Sequence, residues 1–199
     1  MSSLKYIIGI DEVGRGPIAG PLTFCALKIV RGEKLLNFRG SRDSKKLTPK
    51  KREEWFQKIL KEKENGHLDF SLSHIEAHVL DRVGLSKAIK ISINNCLRKL
   101  NVLPHECEVR LDGGLLAPSE FKNQKTIIKG DEKEKVIGLA SIVAKVTRDR
   151  QMVAYSKKYS NYGFEKHKGY GTKEHYRNIK KFGLCKIHRI SFLKKVLGN

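Results

Sequence analysis

The 199-residue sequence has few cysteines, few acidic residues and no long apolar run. Its four cysteines form no Cys-x-x-Cys pair, and no histidine lies at zinc-finger spacing from them, which argues against a structural zinc site. No stretch approaches the apolar length of a transmembrane helix, and no charged and then apolar leader opens the chain. These absences predict a soluble cytoplasmic protein that is not bound to a membrane.

Acidic residues are outnumbered about two to one, with 21 Asp and Glu against 41 Lys and Arg, so the formal net charge is +20. A field of that size favours a polyanionic partner, and nucleic acid is the commonest. Residues 151–199 contain 12 Lys and Arg but only 2 Glu, about half of the net charge. The sequence therefore predicts a nucleic-acid-binding surface to which the last quarter of the chain contributes.

One short segment, residues 7–17, carries two adjacent carboxylates into a glycine-rich turn. Asp11 and Glu12 follow an apolar run, and the turn consists of Gly14, Arg15, Gly16 and Pro17. Successive residues of a regular strand point to opposite faces, so we expect the strand to end or bulge at this pair. Carboxylates in such a place are suited to Mg²⁺, which prefers oxygen ligands. Taken alone, however, an Asp-Glu pair is more often an ordinary polar turn.

Hydrophobic periodicity predicts an α/β chain. The expected strands cover residues 5–10, 22–30, 67–75, 108–112 and 125–129. The expected helices run over 49–64, from 77 or 81 to 100, over 134–155 and over 172–182. One domain, residues 1–156, forms the core in this interpretation, and a basic helical segment, residues 157–199, packs on it and contributes to substrate binding.

Four acids fall at or just past predicted strand ends, namely Asp11, Glu12, Asp112 and Asp131. They are far apart in sequence, but the strands that carry them are expected to be neighbours in one mixed sheet. Clustered carboxylates repel one another unless cations neutralise them. Four such groups can support two-metal phosphodiester hydrolysis, in which one ion activates water and the other stabilises the leaving oxygen.

Several longer motifs occur in order along the chain. They are residues 9–21, the segment Asp43-Ser44-Lys45-Lys46-Leu47, Asp112-Gly113, Lys129-Gly130-Asp131, residues 140–149 and His167-Lys168-Gly169-Tyr170. Together they resemble the motifs of bacterial type 2 ribonuclease H, ribonuclease HII. The resemblance implies a ribonuclease H-like fold, with a mixed five-stranded sheet flanked by helices and a small helical C-terminal extension.

The same resemblance implies a metal-dependent endonuclease that hydrolyses the RNA strand of RNA-DNA hybrids. It also implies cleavage 5′ of single ribonucleotides embedded in duplex DNA, leaving 3′-OH and 5′-phosphate ends, in replication and repair. The family's catalytic acids and ligands for Mg²⁺ or Mn²⁺ fall on Asp11, Glu12, Asp112 and Asp131. Its Gly-Arg-Gly motif falls on Gly14, Arg15 and Gly16, and its substrate-reading tyrosine on Tyr170. We expect the protein to act as a monomer.

The residue types fit these roles. Glycine backbone can approach a sugar closely enough to bond its 2′-OH, and Tyr170 between two glycines can stack on a sugar or base. Phosphate contacts are expected from Arg15, Lys45, Lys46, Lys129 and Lys145. Asp149 lies one helical turn after Lys145 and is expected to pair with it rather than to bind metal. His167, His175 and His188 are interpreted as binding or structural residues.

Two other functions remain open at this point. A non-catalytic basic protein that binds nucleic acid would have the same charge, but it would avoid acids where phosphates dock. Type 3 ribonuclease H shares the acids, but that family carries an added N-terminal domain, whereas here the first expected strand begins by Lys5.

Overall fold

The computed structural model describes residues 4–32 and 47–197. Its strands are β1 (Tyr6–Val13), β2 (Leu22–Val30), β3 (Leu68–Ile75), β4 (Cys107–Asp112) and β5 (Gln124–Ile127). Its helices are α1 (Pro49–Glu64), α2 (Ala77–Val83), α3 (Leu85–Lys99), α4 (Gly130–Lys133), α5 (Lys135–Lys158), α6 (Phe164–His167), α7 (Lys173–Phe182) and α8 (Ile190–Leu197). Short 3₁₀ turns lie at Pro104–Glu106 and Ser160–Tyr162.

The five strands form one mixed sheet in the order β3-β2-β1-β4-β5, which confirms the predicted architecture. The strand pairs β1–β2 and β2–β3 are antiparallel, whereas β1–β4 and β4–β5 are parallel. The parallel β1–β4 register ends with Ile10 opposite Leu111. The next residues, Asp11 and Asp112, therefore lie at the same end of two adjacent central strands.

Both faces of the sheet are covered by apolar layers. Ile8, Ile10 and Phe24 pack towards α2 and α3 on one face. The other face packs against α1 and α5, where Gly9 permits a close approach: a Cβ on Gly9 would lie 2.4 Å from the backbone carbonyl of Val136. The absent side chain thus sets the separation of β1 and α5.

A third apolar cluster joins the C-terminal elements to the core. Ile18, Ala19 and Met152 pack there with Tyr162 and Phe164, all buried. Helix α5 runs to Lys158 and therefore spans the predicted boundary between residues 156 and 157. The division into a core and a C-terminal segment stays a prediction, although the segment's elements pack directly on the core.

Four sequence predictions need correction. β1 continues in regular register through both acids instead of ending or bulging before them. The predicted long helix is two helices, because Gly84 adopts φ +78° between α2 and α3. β5 ends at Ile127, so Asp131 lies in α4 rather than at a strand end. Helices α4, α6 and α8 have no counterpart among the predicted elements.

The remaining helices follow the sequence signals. Thr48 caps α1 by accepting the amide of Lys51 at 3.2 Å, and Thr172 caps α7 by accepting the amide of His175 at the same distance. Across residues 4–32 and 47–197, no helix combines the length and apolar character that crossing a membrane requires.

Candidate active site

Asp11 is a buried acid of the candidate site, with 3% of its surface exposed. It faces α5, where the Ser141 hydroxyl and the backbone amide of Glu12 hydrogen-bond its carboxyl group. Burial raises the pKa of Asp11 well above the usual range, and repulsion from Glu12 and Asp112 raises it further. Two acids, Glu12 and Asp112, thus act electrostatically on Asp11.

Glu12 occupies the next ladder position, opposite Phe24 of β2. Its Oε1 accepts a hydrogen bond from Arg15 Nη1 at 3.3 Å, and the Arg15 side chain is about half exposed. Because the strand is regular, Glu12 points to the face opposite Asp11. Arg15 therefore links the second acid to the glycine-rich turn that follows the strand.

Asp112 is bonded to the backbone segment between β5 and α4 that leads into Asp131. Gly130 donates its amide to Asp112 Oδ1 at 2.7 Å, which places Asp131 directly after the residue that touches Asp112. Lys129 makes the turn possible by adopting the left-handed region, φ +55°. Asp131 is 3% exposed in the first turn of α4.

The chemistry of these side chains fits a cation, because a buried carboxyl group with two anionic neighbours gains from positive charge. Hard oxygen ligands of this kind suit Mg²⁺ or Mn²⁺. Within the ranges 4–32 and 47–197, however, no three Asp, Glu, His or Cys side chains are gathered closely enough to form a metal-binding group. The structure therefore shows the acids as neighbours and not as a closed coordination shell.

The turn after β1 is held by two buried arginines. Arg148 of α5 donates to the carbonyl oxygens of Pro21 at 2.9 Å, Ala19 at 3.2 Å and Lys168 at 3.0 Å. Arg189 donates to the carbonyl oxygens of Gly20 at 2.9 Å and Arg15 at 3.3 Å. Both guanidinium groups are fully buried, and burial lowers the pKa of Arg189 to about 9. The two cations thereby hold the backbone of residues 15–21 in place through its carbonyl oxygens.

Tyr170 lies beside this turn. A Cβ on Gly16 would lie 4.0 Å from Tyr170 Cε1, and 44% of the tyrosine is exposed. The Gly169 carbonyl accepts the amides of Ile18 and Ala19 at 2.9 and 3.2 Å, so the two loops are joined through their backbones. Tyr170 is therefore not part of the buried core.

The lysines predicted to contact phosphate differ in what the structure shows of them. Lys145 Nζ pairs with Asp149 Oδ1 at 2.8 Å, which confirms the predicted intrahelical ion pair. Lys45 and Lys46 lie outside the described residues. Phosphate contact by any of these lysines stays a prediction.

The roles of Ser141, Arg148 and Arg189 do not emerge from the sequence analysis. The sequence pattern identifies Ser141 only as a small residue that lets α5 approach the sheet, yet it bonds Asp11. Arg148 has a detectable signal, because it lies midway between Ala144 and Met152 on the buried stripe of α5. An arginine at helical spacing within an apolar stripe indicates a buried cation that is paired or hydrogen-bonded to specific groups.

The chain is similar in sequence to known proteins. The family model described as Ribonuclease HII matches residues 8–195. Ribonuclease HII of Caldicellulosiruptor bescii is 45% identical over 194 residues, covering 98% of this chain and 89% of the relative. Ribonuclease HII of Ruminiclostridium cellulolyticum is 45% identical over 190 residues, covering 96% of this chain and 71% of the relative.

Solved structures show the same fold. Ribonuclease H2 of Pyrococcus horikoshii OT3 superposes with a TM-score of 0.73 at 26% identity, and the match covers 96% of each chain. Bst-RNase HIII, solved in complex with Mn²⁺, gives a TM-score of 0.73 at 20% identity, covering 98% of this chain and 70% of that one. At 20% identity, the similarity to Bst-RNase HIII supports the fold alone.

Proposed function

The chain belongs to the ribonuclease HII family of type 2 ribonuclease H endonucleases, which act on RNA-DNA hybrids, and we propose that it cuts 5′ of single ribonucleotides embedded in duplex DNA. The products would be a 3′-OH and a 5′-phosphate end, as ribonucleotide removal during replication and repair requires. The observation that carries the proposal is the exposed Tyr170 ring beside Gly16, in the turn that follows the Asp11-Glu12 pair.

Asp11, Glu12, Asp112 and Asp131 are the proposed catalytic residues and metal ligands. Ribonucleases H depend on divalent cations, and Mg²⁺ or Mn²⁺ bound here would supply an activated water and charge stabilisation at the leaving oxygen. Asp11 is pre-oriented by Ser141, and Asp112 by the amide of Gly130. Because these partners fix both side chains, the acids need little rearrangement when a cation enters.

Discrimination between RNA and DNA is assigned to the two joined loops. Backbone groups of Gly14, Arg15 and Gly16 would bond the 2′-OH, and the Tyr170 hydroxyl would bond the same group while the ring packs on the neighbouring deoxyribose. An extra hydroxyl on that neighbour would crowd the ring, so recognition would be confined to an RNA-DNA junction. Both loops are rigidly supported, since Arg148 bonds carbonyl groups in each.

Positive charge on the surface would hold the phosphate backbone. The basic segment 157–199, Arg15, Lys45, Lys46 and Lys145 are the proposed contacts, and the protein would work as a monomer in the cytoplasm. Phosphate contacts of this kind position the duplex without reading its sequence. Recognition of the sugar is therefore separate from affinity for the duplex.

The test is the initial cleavage rate on matched duplexes, one with a single ribonucleotide and one with an all-RNA strand, in Mg²⁺ or Mn²⁺. We expect Tyr170→Ala to lose far more activity on the single ribonucleotide, and Tyr170→Phe to fall between Tyr170→Ala and the parent because it keeps the ring. Phe182→Ala is the matched control, since Phe182 is 43% exposed in the same C-terminal segment. Equal cutting of the single-ribonucleotide duplex by parent and Tyr170→Ala would refute the assignment.

A further inference from the structure

Two buried histidines lie directly behind Tyr170. His175 is fully buried and His188 is 3% exposed, and their Nε2 atoms are 3.0 Å apart. His175 Nδ1 lies 2.8 Å from the carbonyl oxygen of Tyr170. At the other end, the amide of Cys185 donates to His188 Nδ1 at 2.8 Å. The four residues form one continuous chain of hydrogen bonds.

The Tyr170 end of this chain determines where the His175 proton lies. A carbonyl oxygen can only accept, so the nitrogen beside it, His175 Nδ1, must carry a hydrogen. In a neutral ring the second nitrogen is then unprotonated. His175 Nε2 is therefore an acceptor facing His188.

The Cys185 end of the chain independently predicts the same direction for the hydrogen bond between the two histidines. Its amide hydrogen points at His188 Nδ1, which must accept and is therefore unprotonated. The Cys185 carbonyl oxygen lies farther from that nitrogen, at 3.3 Å. His188 Nε2 consequently carries the hydrogen and donates it to His175 Nε2. Only this arrangement of two neutral rings satisfies every partner.

We infer that His175 and His188 are positioning residues that hold Tyr170 for sugar recognition through this one-directional chain of hydrogen bonds. The inference rests on the proposed role of Tyr170. Tyr170 is 44% exposed and lies between two glycines, so neighbouring side chains do little to fix the direction of its ring. The backbone must do so, and the Tyr170 carbonyl is the backbone group that His175 holds.

A third histidine supports the neighbouring peptide in the same way. His167 stacks on His175 with ring centroids 4.3 Å apart. Its Nε2 donates to the Tyr162 carbonyl at 2.7 Å, and its Nδ1 accepts the amide of Gly169 at 3.2 Å. The Gly169 amide is thereby tied to the His167 ring, as the Tyr170 carbonyl is tied to the His175 ring, and the Tyr170 amide donates to the backbone carbonyl of His167 at 2.9 Å.

The proton arrangement is testable without any activity measurement. Nitrogen-15 NMR of the full chain at neutral pH should show His175 protonated at Nδ1 and His188 protonated at Nε2. The His175 form is the less common one for a free imidazole, which makes it diagnostic. A His175 ring protonated at Nε2 would overturn the chain.

Two substitutions of His175 separate positioning from simple stability. Asparagine places its amide nitrogen near the former Nδ1 and keeps the bond to Tyr170, whereas glutamine reaches the former Nε2 and keeps the bond to His188. Each variant loses one link, so their losses of stability should be similar. His175→Gln should lower the rate ratio of single-ribonucleotide to all-RNA cleavage about fivefold, which corresponds to about 1 kcal/mol. His175→Asn should restore most of that ratio.

The outcomes distinguish the two proposals. An unchanged ratio in His175→Gln would show that the histidines are merely structural. Parent enzyme that cuts neither duplex would remove the proposed function and the positioning role with it, while the NMR result would still stand. If neither variant folds, the NMR spectrum of the parent alone decides whether the chain exists.

Discussion

At the scale of single residues, the candidate site combines groups that favour function over stability. Asp11 is buried beside two other acids, Glu12 and Asp112, and their mutual repulsion acts against the folded state. Arg148 and Arg189 are two fully buried cations whose guanidinium groups donate to backbone carbonyl oxygens. Unfavourable burial of this kind is typical of sites that bind a charged ligand.

The clearest residue-scale prediction concerns Asp11→Asn. Removing one negative charge relieves repulsion from Glu12 and Asp112, so the melting temperature should stay level or rise. Cleavage should nevertheless fall by orders of magnitude, because the variant loses a proposed cation ligand. Thermal unfolding and initial rates in Mg²⁺ measure the two effects separately.

Asp69→Asn is the control for that variant. Asp69 lies on β3 and pairs with Lys63 at 2.6 Å, away from the candidate site. Its cleavage rate should remain close to that of the parent. If Asp11→Asn and Asp69→Asn cut equally well, Asp11 does not serve as a catalytic ligand.

At the scale of elements, the packing of α5 on β1 positions most of the site. Helix α5 supplies Ser141 to Asp11 and Arg148 to the turn after β1, and both depend on its close approach at Gly9. The contact is backbone to backbone, so no rotamer change can relieve an added side chain.

Gly9→Ala should therefore destabilise the protein by about 3 kcal/mol or more, since overpacking a rigid contact forces backbone shifts. Its Cβ would lie 2.4 Å from the Val136 carbonyl group. Gly114→Ala is the matched control, because no atom lies within 4 Å of a Cβ there, and it should be neutral or slightly stabilising. Urea unfolding of both variants makes the comparison. Equal midpoints would contradict a rigid contact between β1 and α5.

Elements of the site differ in how well the sequence predicts them. Asp112 is placed correctly at the end of its strand, and Asp11 at the same end of the neighbouring strand although β1 runs two residues past it, because alternation and glycine-rich turns are local signals. Asp131 is assigned to the wrong element, since the left-handed Lys129 that starts α4 has no sequence signature. The break at Gly84 escapes prediction because apolar spacing continues across it. Arg148 and Arg189 find their partners more than a hundred residues away, which no local pattern reveals.

At the scale of the whole molecule, the buried histidines make stability depend on pH. Burial lowers the pKa of His175 and of His188 to about 4 from an ordinary value of 6.5. Between these values the unfolded chain binds more protons than the folded chain, so acid favours unfolding. His167 stacks on one side of the pair, and Tyr162 and Cys185 adjoin the other.

The free energy of unfolding should consequently be insensitive to these two groups above pH 6.5. Below pH 6.5, the free energy of unfolding should fall by about 1.4 kcal/mol per pH unit for each histidine until pH 4. Urea unfolding at pH 7, 6 and 5 measures the slope. A His175→Gln, His188→Gln double variant should flatten it, and an unchanged slope in that variant would assign the acid sensitivity to other groups.

The net charge of +20 should govern the protein's affinity for the duplex more than it governs the cleavage step. Lys173 and Arg177 lie one turn apart on an exposed face of α7, which begins three residues after Tyr170. Replacing both residues with glutamine should reduce the steepness of the plot of log affinity against log salt concentration. The reduction should be about 0.9 for each phosphate contact that the variant loses. Lys58→Gln with Lys61→Gln, two exposed lysines on α1, is the matched control and should leave the slope unchanged. Equal slopes for both double variants would place the duplex on another face.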